Sequence, residues 1–373
     1  MTESAPHTHK QGDDRGNLKL LHVFPSFAFG GQQARLATLI DGLGEGYNHH
    51  IVTLDGDISA KAMISDQAQV NFAHFAMKKN SAISFSNIRG LMNAIRTANP
   101  DILCTYNWGS IEAVIANRMG PKIPCLHFED GFGPGETIEN QSQKRILGRR
   151  FFLRNSWVIV PSHGLEKAAR EKWKIKKVTR VENGIEIDRF TSTRAPGDFV
   201  TIGSVGSLRP EKNYRRLIAA FKKIETSGEK RLVIVGVGPE HNALCEAAGG
   251  DNKITFPGQT PVPEKEFAKF DIFALSSDTE QAPISLMEAM AAALPVVSTN
   301  VGDILEMVSN ENQPYITPLG DDDAYCEALA TLCGSPALRQ KIGEANRKKA
   351  ARLFSQERMV NQYKEIFSKL LNN

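Results

Sequence analysis

The chain is poor in cysteine, and none of its five (Cys104, Cys125, Cys245, Cys326, Cys333) forms a CxxC pair. Most sit in apolar runs that read as core, which argues against a disulfide scaffold and fits a reducing, cytosolic compartment. No window approaches the roughly 20 apolar residues of a membrane-spanning helix, so any work on lipid is done from the surface. The first 17 residues, MTESAPHTHKQGDDRGN, contain no apolar stretch, and neither a signal peptide nor a folded element is expected there. An excess of one charge sign is missing too. With 45 basic and 42 acidic residues the formal charge is only +3, which gives nucleic acid no electrostatic footprint. There is no GxGxxG, so a nicotinamide cofactor is not indicated. No His/Cys/Asp cluster has metal-ligand spacing. Asp55-Gly56-Asp57 reads as a solvated strand end and Asp321-Asp322-Asp323 as the acidic first turn of a helix.

What is present is ordinary for a globular protein: 41% hydrophobic and 23% charged residues. At 373 residues the chain suits two domains of about 150 residues or more. Short apolar strands alternate with helical patterns throughout. LKLLHVF, HHIVTL, VNFAHF, DILCTY, IPCLHF and WVIVPS lie in the first half, and VTIGSVG, RLVIVG, KITFPG, DIFALSS and PVVST in the second. Such alternation predicts an α/β fold of two Rossmann-like, doubly wound parallel sheets facing a cleft. The expected division is a tail over 1–17, a first domain over 18–190 and a second over 198–355, the break falling where RFTSTRAPGDF loses periodicity. A last helical pattern, SQERMVNQYKEIFSKLL, packs either on its own domain or back on the first.

The most informative segment runs from Asp271 to Val297. DIFALSS reads as a buried strand, Pro283 suits the first turn of a helix, and SLMEAMAAALPVV reads as a packed helix ended by Pro295. Glu280 then sits in the connecting loop and Glu288 on the helix, with seven residues between them. A helix start offers unpaired N–H groups and the positive end of its dipole, so a phosphate fits between the two acids. A phosphorylated sugar suits such a place.

Together with VPSHG, VENGIEIDRF, GSLRPEKN and VGVGP in this order, that segment resembles the retaining glycosyltransferases of family GT4, which have the GT-B fold. The resemblance covers nearly the whole chain from about Leu18. It implies a hexosyltransferase that moves a sugar from a nucleotide diphosphate donor, most commonly UDP, to a hydroxyl of a glycan or glycolipid. It further implies a donor-binding second domain, an acceptor-side first domain, and a final helix (356–373) that crosses back onto the first domain. Glu280 would contact donor-sugar hydroxyls and Glu288 the nucleotide ribose, since each carboxylate accepts two hydroxyl hydrogen bonds. Departure of a diphosphate calls for fixed positive charge, for which Arg209 and Lys212 are the candidates. With these in place neither metal nor other cofactor is expected. Gly30, Gly31 and Gly238 resemble the family's glycine loops near the donor, although plain turns and helix packing also want glycine. Ile284 and Ser285 are candidate backbone donors to phosphate. His127, at the end of the fifth strand, would point into the cleft near donor sugar and acceptor, and Glu129 would bind acceptor hydroxyls or orient His127.

Two departures from the family pattern stand out: Ser207 where an Arg is common, and Gln281-Ala282 where a Gly is common. They keep open a non-catalytic sugar-nucleotide-binding scaffold, and the fold alone leaves open a GT-B nucleotide-sugar epimerase. The segment 144–154 sets Lys144, Arg145, Arg149, Arg150 and Arg154 among apolar residues. It reads either as a basic amphipathic helix on an anionic inner-membrane face or as an ordinary half-buried helix.

Overall fold

The computed structural model describes residues 17–77, 83–132, 136, 138, 140–191, 199–226 and 228–372. Residues 1–16 of the expected tail and 192–198 of the expected domain break lie outside the described residues. The first half begins β1 (Leu18–Phe24), α1 (Gly31–Leu43), β2 (Tyr47–Thr53), β3 (Val70–His74), α2 (Phe85–Ala98), β4 (Ile102–Tyr106), α3 (Ile111–Met119). It continues β5 (Cys125–Phe128), α4 (Gln143–Phe152), β6 (Trp157–Val160), α5 (His163–Glu171), β7 (Val178–Arg180). The second half begins β8 (Phe199–Val205), α6 (Tyr214–Lys223), β9 (Glu229–Val235), α7 (His241–Ala248), β10 (Ile254–Gly258), α8 (Glu264–Phe267), β11 (Ile272–Leu275). There follow α9 (Ile284–Ala291), β12 (Val296–Thr299), α10 (Ile304–Met307), β13 (Ile316–Thr317), α11 (Asp322–Gly334), α12 (Pro336–Leu353) and α13 (Gln356–Leu371).

Both sheets are parallel, seven strands in the order β3-β2-β1-β4-β5-β6-β7 and six in the order β10-β9-β8-β11-β12-β13. The strands read as continuous apolar runs because both faces are covered. On β1, Leu20 and Phe24 face a core shared with Ile40, Leu43 and α13, while Leu21 and Val23 face Ile88, Leu91 and Ile95 of α2. Strand order reverses between β1 and β4 in one sheet and between β8 and β11 in the other. Ligands bind in the crevice beyond the carboxyl ends of strands at such switch points, so the loops after these four strands are where a site belongs.

The last helix leaves the second half. Met359, Val360, Tyr363, Ile366 and Phe367 of α13 are buried in the core of the first half, and Gln356 donates from Nε2 to the Thr38 carbonyl at 2.8 Å. Helix α9 stops at Ala291, four residues before Pro295, because Ala293 turns out of helix at φ 56°.

The same core hides a polar chain. His22 Nδ1 lies 2.8 Å from the Tyr106 hydroxyl and His22 Nε2 lies 3.1 Å from His49 Nδ1, with both imidazoles buried. Burial pushes His49 down to about 4 and His22 well below the ordinary histidine value. In the unfolded chain both titrate near 6.5, so as pH falls from about 6.5 toward 4 the unfolded state takes up protons that the folded state refuses. Stability should therefore fall across that window. In His49→Gln, which keeps a hydrogen-bonding side chain but cannot charge, urea unfolding at pH 5, 6 and 7 should show a slope smaller by up to about 1.4 kcal/mol per pH unit. An unchanged slope would show that His49 does not couple folding to protons.

Candidate active site

The loop after β8 runs through a single turn, Pro210–Lys212, to Asn213 at φ 44°, whose side chain caps α6 by accepting from the Arg216 N–H. This turn aims Lys212 toward the loop after the neighbouring strand β11. There Lys212 Nζ meets Glu280 Oε1 at 2.6 Å, and the Ser277 hydroxyl donates to the same oxygen at 2.7 Å. Ser276 pins the turn from below by donating its hydroxyl to the Lys212 carbonyl at 3.0 Å. Lys212 and Glu280 thus come together at the second sheet's switch point. Their side chains keep 21% and 9% exposure, enough for a ligand to reach the pair.

Two helix starts converge beside them. α1 begins at Gly31 after Gly30, α9 begins at Ile284 after Pro283, and neither has a side-chain cap. A β-carbon on Gly31 would stand 3.8 Å from Ile284 Cδ1, so the two starts face each other across the cleft. The first amides of each helix, including those of Ile284 and Ser285, point outward without a helical partner, and their dipoles favour an anion. Gly238 serves a different purpose from the one expected. A side chain there would strike the Leu208 backbone at 2.4 Å, so this glycine lets the loop after β9 lie against the loop after β8. Arg209 is exposed and lines a small cavity of about 90 Å³ with Arg215 and Glu240.

Glu288 lies half-buried on α9, with Arg189 and Glu264 as its charged neighbours. Arg189 and Glu264 pair at 2.9 Å. Burial, eased by Arg189 and reinforced by Glu264, pushes the Glu288 carboxyl up to about 7.

On the first half, two expectations are corrected. His127 is the last residue but one of β5, and its ring is fully buried rather than open to the cleft, with Nδ1 2.8 Å from the Thr105 hydroxyl and Nε2 3.3 Å from Glu129. Glu129 is buried away from any acceptor, and of its two expected roles the contact with His127 is the one its position allows. It is fully buried and accepts from Arg149 Nε at 2.8 Å and Nη2 at 3.2 Å. Burial alone would raise its carboxyl, but Arg149 and His127 outweigh burial and hold it below the ordinary value. Arg149 in turn lies over the Trp173 ring at 4.7 Å. Sequence reasoning missed Arg149 because it stands 20 residues from its partner, in a run that reads as a surface helix. The neighbouring Asp130 ties down the start of α1, accepting from Gln32 Nε2 at 2.5 Å and Arg35 Nη2 at 2.9 Å.

Among the described residues no group of three or more His, Cys, Asp or Glu side chains is placed to hold a metal ion. Asp321 caps α11, Asp322 pairs with Arg216, and Asp55 and Asp57 accept from loop amides.

Two family models together match residues 29–349: Glycosyltransferase Family 4 over 29–189 and Glycosyl transferases group 1 over 186–349. The N-acetyl-alpha-D-glucosaminyl L-malate synthase of Bacillus anthracis is 27% identical over 172 residues, 45% of each chain. A putative colanic acid biosynthesis glycosyltransferase, WcaL of Salmonella typhimurium, is 31% identical over 203 residues, 50% of each chain. The chain spans about half the length of these curated relatives. The crystal structure of Anabaena HepE in complex with UDP-glucose superposes with a TM-score of 0.79 at 18% identity, covering 95% of this chain and 100% of that one.

The high pKa of Glu288 makes a stability prediction. The folded state keeps the proton up to about 7 while the unfolded chain loses it near 4.5, so this group's stabilisation is complete below about 4.5 and is lost as pH rises through 7. Glu288→Gln should therefore gain about 1 to 2 kcal/mol at pH 8, the half-exposure reducing the full value, and nothing at pH 4 to 4.5. Urea unfolding at the two pH values checks it. An equal gain at both would mean that the carboxyl does not titrate in this window.

Proposed function

The chain belongs to the GT4 glycosyltransferases, and from that premise we propose that it transfers a sugar from a nucleotide diphosphate donor, with retention, to a hydroxyl of a glycan or glycolipid. The observation that carries this reading is the Lys212–Glu280 pair at the switch point of the second sheet, beside two uncapped helix starts. Its two facing Rossmann-like halves are the GT-B fold.

In this reading the donor diphosphate takes the place between the start of α9 and Lys212, which stabilise the charge that grows as the sugar leaves. Arg209 swings from its exposed position to join them. Glu280 accepts from sugar hydroxyls through the oxygen that Lys212 and Ser277 leave free, and Glu288 accepts from the ribose. Glu280 is already engaged by a cation, which suits binding better than covalent attack. The acceptor hydroxyl then attacks on the face the diphosphate leaves, and its proton passes to the departing phosphate oxygen. Gly30 and Gly31 leave room for donor and acceptor at the other wall. His127 and Glu129 act from inside that wall, by holding its loop. Lys212 and the helix N–H groups supply the positive charge that a divalent ion would otherwise bring. HepE was crystallised with UDP-glucose and WcaL is named for colanic acid biosynthesis, which supports a UDP donor and a polysaccharide or glycolipid product.

We further propose an anionic lipid surface as the acceptor's location, with the enzyme peripheral at the cytoplasmic face. Among the described residues no helix is long and apolar enough to cross a membrane. Arg149 faces inward on α4, but Leu147 and Phe151 are 60% and 61% exposed and are flanked by exposed Lys144, Arg150 and Arg154. Such a face suits the boundary of anionic headgroups. Sedimentation with anionic vesicles should be lost in a Leu147→Glu, Phe151→Glu double variant and absent with neutral vesicles. Equal sedimentation of wild type and double variant would remove this face as the contact.

Donor binding is tested by thermal shift with UDP, GDP, ADP and their sugar conjugates, with and without magnesium. One nucleotide should raise the melting temperature without metal, by mass action on the folded state. Lys212→Ala should abolish the shift. Glu280→Ala frees Lys212 from its partner, so it should keep or strengthen nucleotide binding while transfer falls by about 100-fold or more. No shift with any nucleotide would bring the scaffold reading forward, and undiminished transfer in Glu280→Ala would remove it from the site.

A further inference from the structure

The halves also touch on the far side of the Glu280 loop. Ser162, the buried N-cap of α5, accepts from the Leu165 N–H at 3.1 Å and donates its hydroxyl to Gln281 Oε1 at 3.0 Å. The next amide of α5 faces a carboxylate of the other half. His163 N–H donates to Asp303 Oδ2 at 2.7 Å, and the Gly164 amide also favours the charged form of that carboxylate. Asp303 closes the circle through its own N–H, which donates to the Gln281 carbonyl at 2.9 Å. Gly302, at φ 59°, makes this possible, because a side chain there would strike the carbonyls of Glu280 and Gln281 at 2.5 and 2.6 Å. Asn183 adds a hydrogen bond from Nδ2 to the Ala282 carbonyl at 3.2 Å.

These contacts are polar and few. A carboxylate on first-turn helix amides gains from the charge and the dipole together, yet both partners rehydrate readily on separation. The contact is therefore of the kind that makes and breaks. When made, it grips Gln281 by side chain and by carbonyl, one residue from the carboxylate that meets Lys212.

We propose that Asp303 and Gln281 form an interdomain latch on the start of α5 that couples closure of the cleft to the placement of Glu280. Both are positioning residues and act through Glu280. The latch stands on geometry alone, and only its effect on turnover rests on the transferase reading.

Hydrogen–deuterium exchange of the full chain, read over residues 161–166, tests the latch without any donor. In Asp303→Ala the amide of His163 should exchange about tenfold faster, while the Leu165 amide, held by Ser162, stays protected and reports that α5 is intact. Asp303→Asn, which keeps a neutral acceptor, should fall between. Unchanged exchange at His163 in Asp303→Ala would overturn the latch. Faster exchange at Leu165 as well would assign Asp303 to folding of α5 and overturn it equally.

The coupling is read from kinetics. Gln281→Ala and Asp303→Ala should lower kcat for transfer about tenfold while UDP affinity stays within about twofold, because the diphosphate contacts on Lys212 and α9 remain. Unchanged kcat in both variants would overturn the coupling. If wild type turns over no donor, the transferase reading fails, and small-angle scattering still decides the coupling of closure. A larger radius of gyration in Asp303→Ala supports it, and an equal one overturns it.

Discussion

The chain passes between its two halves twice, and the two passages hydrogen-bond to each other. Ile185 donates to the Phe354 carbonyl at 2.8 Å and Gln356 donates back to the Ile185 carbonyl at 2.9 Å. Arg347 binds the Phe190 carbonyl at 2.6 Å and Asp188 at 3.3 Å from the same side. Beyond this joint, α13 buries five large side chains in the first half, each worth about 1.5 to 3 kcal/mol. That end of the interface cannot open without unfolding the helix from the core. The opposite end is held by hydrogen bonds to single residues. A pair of sheets tied firmly at one end and lightly at the other opens as a hinge, and the site between them exists because the joint keeps the two switch points facing.

The second sheet places its charged pair by topology. β8 and β11 are neighbours in the sheet, with Ile202 opposite Ile272, although some 70 residues of chain separate them. Lys212 and Glu280 follow these two strands, so the crossover that inserts β11 beside β8 also sets a cation beside an anion. The pair is a partly exposed one, open to exchange with water or with an anion in the cleft. A fully buried pair would resist such exchange. Glu288 is a different case: a carboxyl that burial pushes up to about 7 is an unfavourable choice for stability.

Much of this was legible in the sequence because burial on both faces writes strands as unbroken apolar runs. The short edge strands β7 and β13, with three and two residues, leave no such run and were not seen. Lys212 and Glu280 were legible because each lies directly after a strong strand. His127 was misjudged for a reason of parity. Alternate residues of β5 face opposite sides of the sheet, and Leu126 and Phe128 fill the α1–α13 core. Being last but one on the strand therefore turned His127 inward, toward Thr105 and Glu129. The burial of Glu129 was invisible because it depends on Arg149, whose position follows from the packing of α4 rather than from local pattern.

That buried ion pair also explains why the two walls of the site differ in stiffness. Arg149 sits between Trp108 and Trp173 and fixes Glu129, which fixes His127. One residue on, Asp130 is gripped by Gln32 and Arg35 from the first turns of α1, while its own N–H donates to Asn107 Oδ1 at 2.9 Å. A continuous line of charge thus runs from α4 through the end of β5 to the helix start at Gly31. Loss of Arg149 would leave Glu129 buried and uncompensated, which costs about 3 to 5 kcal/mol, so the end of β5 is firmly set. The Glu280 loop is held differently. Lys212 pairs with Glu280 and Arg216 with Asp278, both partly exposed, while the buried Thr299 hydroxyl donates to the Ser277 carbonyl and Ser162 holds Gln281. A ligand entering the cleft therefore meets a wall set by buried ion pairs on the first half and, on the second, a loop whose ion pairs Lys212–Glu280 and Arg216–Asp278 lie nearer the surface.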